Sequence, residues 1–272
     1  MSSVALVTGA TSGIGAATAR RLAAAGYIVY GAGRRADRLA ELQGEGVLPL
    51  VFDLADDASM VAAVERVLAE QGRIDLLVNN AGYGSYGAIE DVPLDEARRQ
   101  FEVNVFALAR LTQLVLPTMR QQRSGRIVNI TSIGGRIATA LGGWYHATKF
   151  AVEGFSDSLR QEVAEFGIDV VVIEPGAIKT EWGGIAARSA IEMSGEGPYA
   201  SRVQRLVAAF TLPSSAGRAS DPDVVAKAIE RAATVRRPRT RYRVGSMATP
   251  IIAMRRLLGD RAFDALLRRA MG

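Results

Sequence analysis

The sequence of 272 residues predicts an α/β fold: a single-domain, doubly wound parallel β-sheet with helices on both faces. Short runs of Val, Ile and Leu alternate with helical stretches of about ten residues or more, and continuous apolar strands are those buried on both faces. The residues that interrupt this pattern fall where strands end: Gly9, Gly33, Asp53, Asn80, Ser132 and Gly176. Ligands of an open parallel sheet bind beyond the carboxyl ends of its strands, so one rim collects the chemistry.

The first strand, Ser3 to Thr8, runs straight into Gly9-Ala-Thr-Ser12-Gly13-Ile14-Gly15 and a helix to Ala25. Strand, glycine turn and helix start together make a phosphate site. Glycines let the backbone approach a pyrophosphate, and the helix start offers free N–H groups. The spacing is G-x-x-x-G-x-G rather than the commoner G-x-G-x-x-G. Tyr27 to Gly33 is the second strand, followed by Arg34-Arg35 where an NAD site usually carries an acid. A guanidinium instead makes charge-assisted bonds to a 2′-phosphate, which points to NADP(H), with Arg34 as the first choice of ligand.

Val47 to Leu54 is the third strand and ends in Asp53-Leu54, within reach of an adenine edge; a helix from Asp56 or Asp57 to about Gln71 follows. Ile74 to Asn79 is the fourth strand, and Asn80-Ala81-Gly82 then gives small residues against which a cofactor can lie. Pro93 to Arg123 reads as one long helix holding Asn104, which either satisfies nearby backbone or anchors a water. Ile127 to Thr131 is the fifth strand, Trp144 to Phe166 a helix, and Ile168 to Glu174 the sixth strand, stopped by Pro175-Gly176.

Tyr145 and Lys149 lie four residues apart and share one face of their helix. A nearby ammonium favours a phenolate, so the pair is expected to bring the tyrosine pKa down toward the working range. Ser132, at the end of the fifth strand, is placed to meet that face and hold a carbonyl oxygen.

These motifs in order, TGATSGIG, Asp53-Leu54, NNAG at Asn79 to Gly82, Asn104, Ser132, YHATK and PGAIKT, resemble the short-chain dehydrogenase/reductase family over about residues 3 to 182. The resemblance implies a Rossmann fold with Tyr145 as general acid/base and Lys149 binding the nicotinamide ribose while lowering the tyrosine pKa. It implies that Ser132 orients the substrate oxygen and Asn104 holds a water in a proton relay. It further implies Asp53 on the adenine, Asn80 near a ribose, and Ile178 and Thr180 on the carboxamide. Homodimers or homotetramers built through the helices of Asn104 and Tyr145 are the implied assembly.

Composition narrows the alternatives. The absence of cysteine excludes disulfides, thiolate metal sites and cysteine nucleophiles, and with His146 the single histidine no metal site is expected. The N-terminus shows no secretory pattern and no apolar run approaches the ~18–20 residues of a membrane span, so a cytoplasmic protein is expected. Net charge is +5, yet from Ser201 onward 15 Arg and Lys face 5 Asp and Glu (+10), against 18 and 23 (−5) before it. No nucleic-acid motif accompanies this basic tail, and nucleic acid is not expected as a partner.

Residues 1–182 therefore form the cofactor-binding and catalytic core. Residues 183–220 read as a long insertion serving as a substrate lid. Residues 221–272 read as a basic helical extension, with Arg241 to Val244 as a last strand and helices at Met247 to Leu258 and Asp260 to Met271. Ile133, Leu141, Trp144 and Trp182 suggest a hydrophobic pocket. The stretch SIGGRIATALGGWYHATKFAVEGFSDSLRQEV and the extended tail resemble family members acting on steroids and retinoids. The expected partner is a small hydrophobic carbonyl or alcohol. Alternatives are reduction of an acyl-carrier thioester, or a non-catalytic NADP-binding protein whose basic tail lies on an anionic membrane.

Overall fold

A computed structural model describes residues 2–211 and 219–271. Among the described residues seven strands form one sheet: β1 Val4–Thr8, β2 Ile28–Gly33, β3 Val47–Val51, β4 Leu76–Asn79, β5 Gly125–Ile130, β6 Ile168–Pro175 and β7 Arg241–Val244. Their order is β3-β2-β1-β4-β5-β6-β7 and every pairing is parallel. The winding reverses between β1 and β4, which opens a crevice at their carboxyl ends.

Side chains alternate across the sheet and build two cores. Leu6, Tyr30, Leu77 and Ile127 point to one face, covered by α3 (Asp57–Gln71), α5 (Ala107–Gln122) and α6 (Gly143–Val163). Val7, Val29, Val78 and Val128 point to the other, covered by α1 (Gly13–Ala24), α2 (Ala36–Gln43) and α9 (Pro222–Thr234). Helix starts follow local chemistry. Asp56 caps α3 by accepting from the N–H groups of Ala58 and Ser59, and Asp221 caps α9 just before Pro222 at its first turn.

Two segments differ from their sequence reading. The helix expected over Pro93 to Arg123 is three pieces: α4 (Leu94–Phe101), a π-helical turn Glu102–Phe106, and α5. The π turn carries Asn104, whose side chain pairs with both backbone groups of Tyr83; one extra residue in a turn leaves hydrophobic periodicity almost unchanged.

The second difference is the long insertion. Its described part is helical: α7 (Trp182–Ser194), a 3-10 turn Gly197–Tyr199 and α8 (Ala200–Thr211); residues 212–218 lie outside the described residues. Gly183-Gly184 and Gly195 to Pro198 disfavour a helix at either end of α7. Burial of Ala186, Ala187 and Ala190 overrides that propensity. Ser189 and Ser194 then accept from the N–H groups of Tyr86 and Ala88, which ties α7 to the segment after β4.

The tail belongs to the fold. β7 extends the sheet, and α10 (Ala248–Leu257) and α11 (Asp260–Met271) follow. Arg241 and Arg243 of β7 reach the fully buried Glu174 at 3.6 and 3.2 Å, and Arg241 reaches Glu153 of α6 at 3.1 Å. Arg136, four residues past Ser132, bonds Glu153 and Glu174 at 2.7 Å each. Among the described residues no helix is long and apolar enough to cross a membrane.

Candidate active site

The glycine turn between β1 and α1 is held by close approach. A Cβ at Gly9 would meet Asn80 Nδ2 at 2.8 Å in a residue with φ +67°, and one at Gly15 would meet the Gly9 carbonyl oxygen at 2.1 Å. Asn80 locks this arrangement, since its side-chain amide donates to the carbonyls of Thr8 and Gly9 at 2.9 and 3.4 Å. Ser12 precedes α1 without a side-chain cap bond, and the first turn holds no acid. Free N–H groups and an uncompensated positive helix end therefore face the crevice, which fits an anion such as a pyrophosphate.

Arg35, rather than Arg34, reaches this turn. Its guanidinium donates to Thr11 Oγ1 at 3.1 Å and to the Thr11 carbonyl at 3.3 Å. Arg34 is exposed and makes no side-chain hydrogen bond among the described residues. Asp53 accepts from the N–H of Ala55 and so holds the turn that carries Leu54, leaving one carboxylate oxygen for a ligand. Ala81 and Gly82 follow Asn80 on the same rim, and a Cβ at Gly82 would meet Asn104 Oδ1 at 3.0 Å and Lys149 Nζ at 3.7 Å. Beyond β6, Gly176 lies against Ser246. Ala177 and Lys179 bond to Ser220, so the N–H and C=O of Ile178 point away from that bridge. Thr180 lies on Gly13.

Ser132, Tyr145 and Lys149 come together as the helical spacing required. The Ser132 hydroxyl lies beside the Tyr145 phenol and favours its ionised form, but burial outweighs it and pushes the phenol up to about 12. Burial also takes the Lys149 ammonium down to about 8, with nearby Glu153 acting against the shift. Lys149 Nζ donates to the Ile130 carbonyl at 2.9 Å and stands 5.9 Å from the centre of the Tyr145 ring. The expected acidification of Tyr145 is thus reversed in this closed site. Both charges lose water, and the ammonium spends its bond on backbone rather than on the phenol. Asn104 bonds Thr148 Oγ1 at 3.1 Å as well as Tyr83, so its amide satisfies protein groups.

A third apolar cluster roofs the tyrosine. Tyr86, Leu141 and Tyr145 pack with Val203 and Leu206 of α8, joined by Trp182 and Phe210. The Trp182 and Tyr86 rings lie 5.0 and 5.7 Å from that of Tyr145. Of the four residues expected to line a pocket, Leu141 and Trp182 meet here. Ile133 is half-buried in the 3-10 turn after Ser132 and outside this cluster. Trp144 does not join them: one residue before Tyr145 on the helix, it points elsewhere and packs on Phe101. Sequence reasoning missed Tyr86 and Phe210. The first sits in a glycine-rich stretch without period, the second in the segment read as loop.

With the geometry in hand, comparison with known proteins is decisive for the family. Residues 3–188 match the short chain dehydrogenase family. The chain belongs to it. A short-chain dehydrogenase from Streptomyces avermitilis superposes with TM-score 0.82 at 35% identity, covering 99% of this chain and 96% of that one. The 3-ketodihydrosphingosine reductase of Bacteroides thetaiotaomicron is 44% identical over 175 residues, 64% of each protein's length. The NADPH-dependent 3-dehydrocapnine reductase of Ornithobacterium rhinotracheale is 40% identical over 189 residues, 66% of this chain and 67% of that protein. Members of the short-chain dehydrogenases are oxidoreductases acting between CH–OH and C=O with nicotinamide cofactors. They are generally oligomeric and take small-molecule substrates.

Proposed function

We propose that this short-chain dehydrogenase is an NADP(H)-dependent reductase of bulky hydrophobic ketones, or in reverse a dehydrogenase of the matching secondary alcohols. The observation that carries it is the Tyr145 phenol, with Ser132 beside its hydroxyl, Lys149 near its ring, and Tyr86, Leu141 and Trp182 as its roof. Such a roof favours an apolar substrate. The tail resemblance suggests a steroid- or retinoid-like body, whereas the printed name of the Bacteroides relative suggests a long-chain 3-keto compound.

The cofactor, when bound, supplies or accepts the hydride. The backbone of Gly9, Ser12, Gly13, Ile14 and Gly15 would hold its pyrophosphate, with Arg35 and Arg34 on the 2′-phosphate and Asp53 and Leu54 at the adenine. Asn80, Ala81 and Gly82 line its ribose side, Tyr145 and Lys149 the nicotinamide ribose, and Pro175, Gly176, Ile178 and Thr180 the carboxamide. Tyr145 gives its phenolic proton to the carbonyl oxygen while Ser132 donates to the same atom, so two donors meet the charge that develops there. Lys149, with Asn104 beside it, stands behind the phenol on the path by which the proton is restored. The subunits associate through the segment of Asn104, the π turn with α5, and through α6, where Phe106 of the π turn and Phe150 of α6 are exposed.

The experiment is NADPH oxidation with a panel of steroid, retinoid and long-chain 3-keto substrates, beside an acyl-carrier thioester, for wild type and Tyr145→Phe. The expected result is turnover on a hydrophobic ketone that Tyr145→Phe lowers by about 10²–10⁴-fold while NADPH binding is kept. Turnover on the thioester alone would favour the carrier-linked alternative. NADPH binding without turnover on any carbonyl, together with tail-dependent binding to anionic vesicles, would reject the enzyme reading.

A further inference from the structure

Three consecutive residues between β6 and the body of α7 each lie on a different part of the crevice. Thr180 Cγ2 stands 2.9 Å from where a Cβ on Gly13 would be, against the start of α1. Glu181 Oε2 lies 3.3 Å from Arg35 Nη1. Trp182, the first residue of α7, puts its ring 5.0 Å from that of Tyr145 and fills the space over Gly84, where a Cβ would meet Trp182 Cζ2 at 2.6 Å. Phe210 of α8 backs the Trp182 ring at 5.7 Å, so this side chain of α7 joins both lid helices in the cluster over the tyrosine.

Arg35 is the cation that reaches the glycine turn, with Nε and Nη2 on Thr11 and Nη1 on the lid's carboxylate. A carboxylate and a phosphate monoester present the same chemistry to a guanidinium, anionic oxygens that accept charge-assisted hydrogen bonds. The phosphate carries more charge and more acceptor oxygens. The Arg35–Glu181 pair is solvent-exposed, 41% and 54% by side chain, and exposed pairs are individually weak and easily exchanged.

We propose that Glu181 is a specificity-determining residue: its carboxylate is an internal competitor for the Arg35 anion site, and a nucleotide 2′-phosphate that takes Arg35 frees the first turn of α7 and with it Trp182. A nucleotide without that phosphate leaves Glu181 on Arg35 and the lid where it is. Discrimination between phosphorylated and unphosphorylated cofactors is thereby coupled to access to Tyr145. The inference rests on the NADP(H) reading given above.

The test uses the full chain with two nucleotide fragments that lack nicotinamide, adenosine 2′,5′-bisphosphate and adenosine 5′-monophosphate. A Trp144→Phe background leaves Trp182 the sole tryptophan of the two in the chain. The expected result is a change in Trp182 emission with the bisphosphate and none with the monophosphate. Glu181→Gln should tighten the bisphosphate about 1.5- to 5-fold by calorimetry, leave the monophosphate unchanged, and move the ligand-free Trp182 emission toward the bisphosphate-bound value. Arg35→Ala should abolish the preference for the bisphosphate. If the bisphosphate is preferred through Arg35 but Glu181→Gln alters neither affinity nor emission, the proposal fails and the NADP(H) reading stands. If neither wild type nor Arg35→Ala distinguishes the fragments, the NADP(H) reading falls and takes this inference with it.

Discussion

His146 Nδ1 stands 3.0 Å from the carbonyl oxygen of Gly134, and this contact holds the turn that carries Ser132 against the helix that carries Tyr145. On its other side the ring meets Thr139 Oγ1 through Nε2, also at 3.0 Å. Burial holds the imidazole below its ordinary pKa, so it is neutral at pH 7, donating from Nδ1 and accepting at Nε2. The sole histidine thus positions the Ser132 turn beside the catalytic candidate.

Replacing His146 with Leu removes both bonds and leaves buried partners unmet. A loss of about 1–3 kcal/mol in denaturant unfolding is expected, with kcat falling more than KM rises because the Ser132 turn loosens. The folded pKa lies below the unfolded one, so the unfolded chain binds the proton more tightly and wild-type stability drops as pH falls below about 6.5. His146→Leu should flatten that acid limb. An unchanged limb would remove His146 as its source.

Lys149 sets the expected pH dependence of turnover. Its ammonium, brought down to about 8, faces Tyr145 and Glu153 on its own helix, the Ile130 carbonyl on β5, and Asn104 on the π turn. Tyr145, pushed up to about 12, remains protonated throughout the useful range. The rate of ketone reduction should therefore hold at neutral pH and fall as pH passes about 8 and the cation is lost. Lys149→Arg keeps a cation at every accessible pH, so the fall should vanish from a log kcat/KM profile even where the overall rate is lower. Stability moves the opposite way: with Lys149 below its ordinary 10.5, the unfolded chain holds the extra proton and stability rises with pH between about 8 and 10.5.

Gly15 offers a test of the turn itself. An added Cβ would lie 2.1 Å from the Gly9 carbonyl oxygen and 2.6 Å from Asn80 Nδ2, both held in place by backbone geometry and by the Asn80 bonds. Gly15→Ala must therefore force β1, β4 and α1 apart at the anion site. Loss of detectable NADPH binding with a several-degree drop in melting temperature is expected, whereas Gly26→Ala, with open space around it, should cost only backbone strain. Calorimetric titration and thermal unfolding of the two variants would check this.

Legibility in the sequence followed the range of the interaction. Strands announced themselves by apolar runs, and the rim residues by the breaks after them, because both are local consequences of a sheet buried on two faces. The Ser132, Tyr145 and Lys149 grouping was equally local, four residues of helix and one strand end. What escaped depended on partners distant in the chain. Asn104 of the π turn pairs with the backbone of Tyr83, and α7 buries three alanines and ties to residues 86–88 through Ser189 and Ser194. The direction of the Tyr145 shift escaped for the same reason, since spacing brings Lys149 near but says nothing of the aromatic roof that removes water from both.

In the basic tail, the two arginines of β7 answer to buried acids. Glu174 is fully buried, and Arg136, Arg241 and Arg243 surround it, while Glu153, four residues past Lys149, shares Arg136 and Arg241 and accepts from Thr131 Oγ1 at 2.7 Å. Removing one cation from such a set leaves a buried carboxylate uncompensated, which costs far more than the pair contributes net. Arg241→Met should therefore destabilise the chain by about 3–5 kcal/mol, against less than about 1 kcal/mol for Arg256→Met on the exposed part of α10. Because the set also grips Arg136 behind the Ser132 turn, the surviving folded fraction of Arg241→Met should show a lowered kcat. Equal melting temperatures for the two variants would mean that the tail merely rests on the domain and does not complete it.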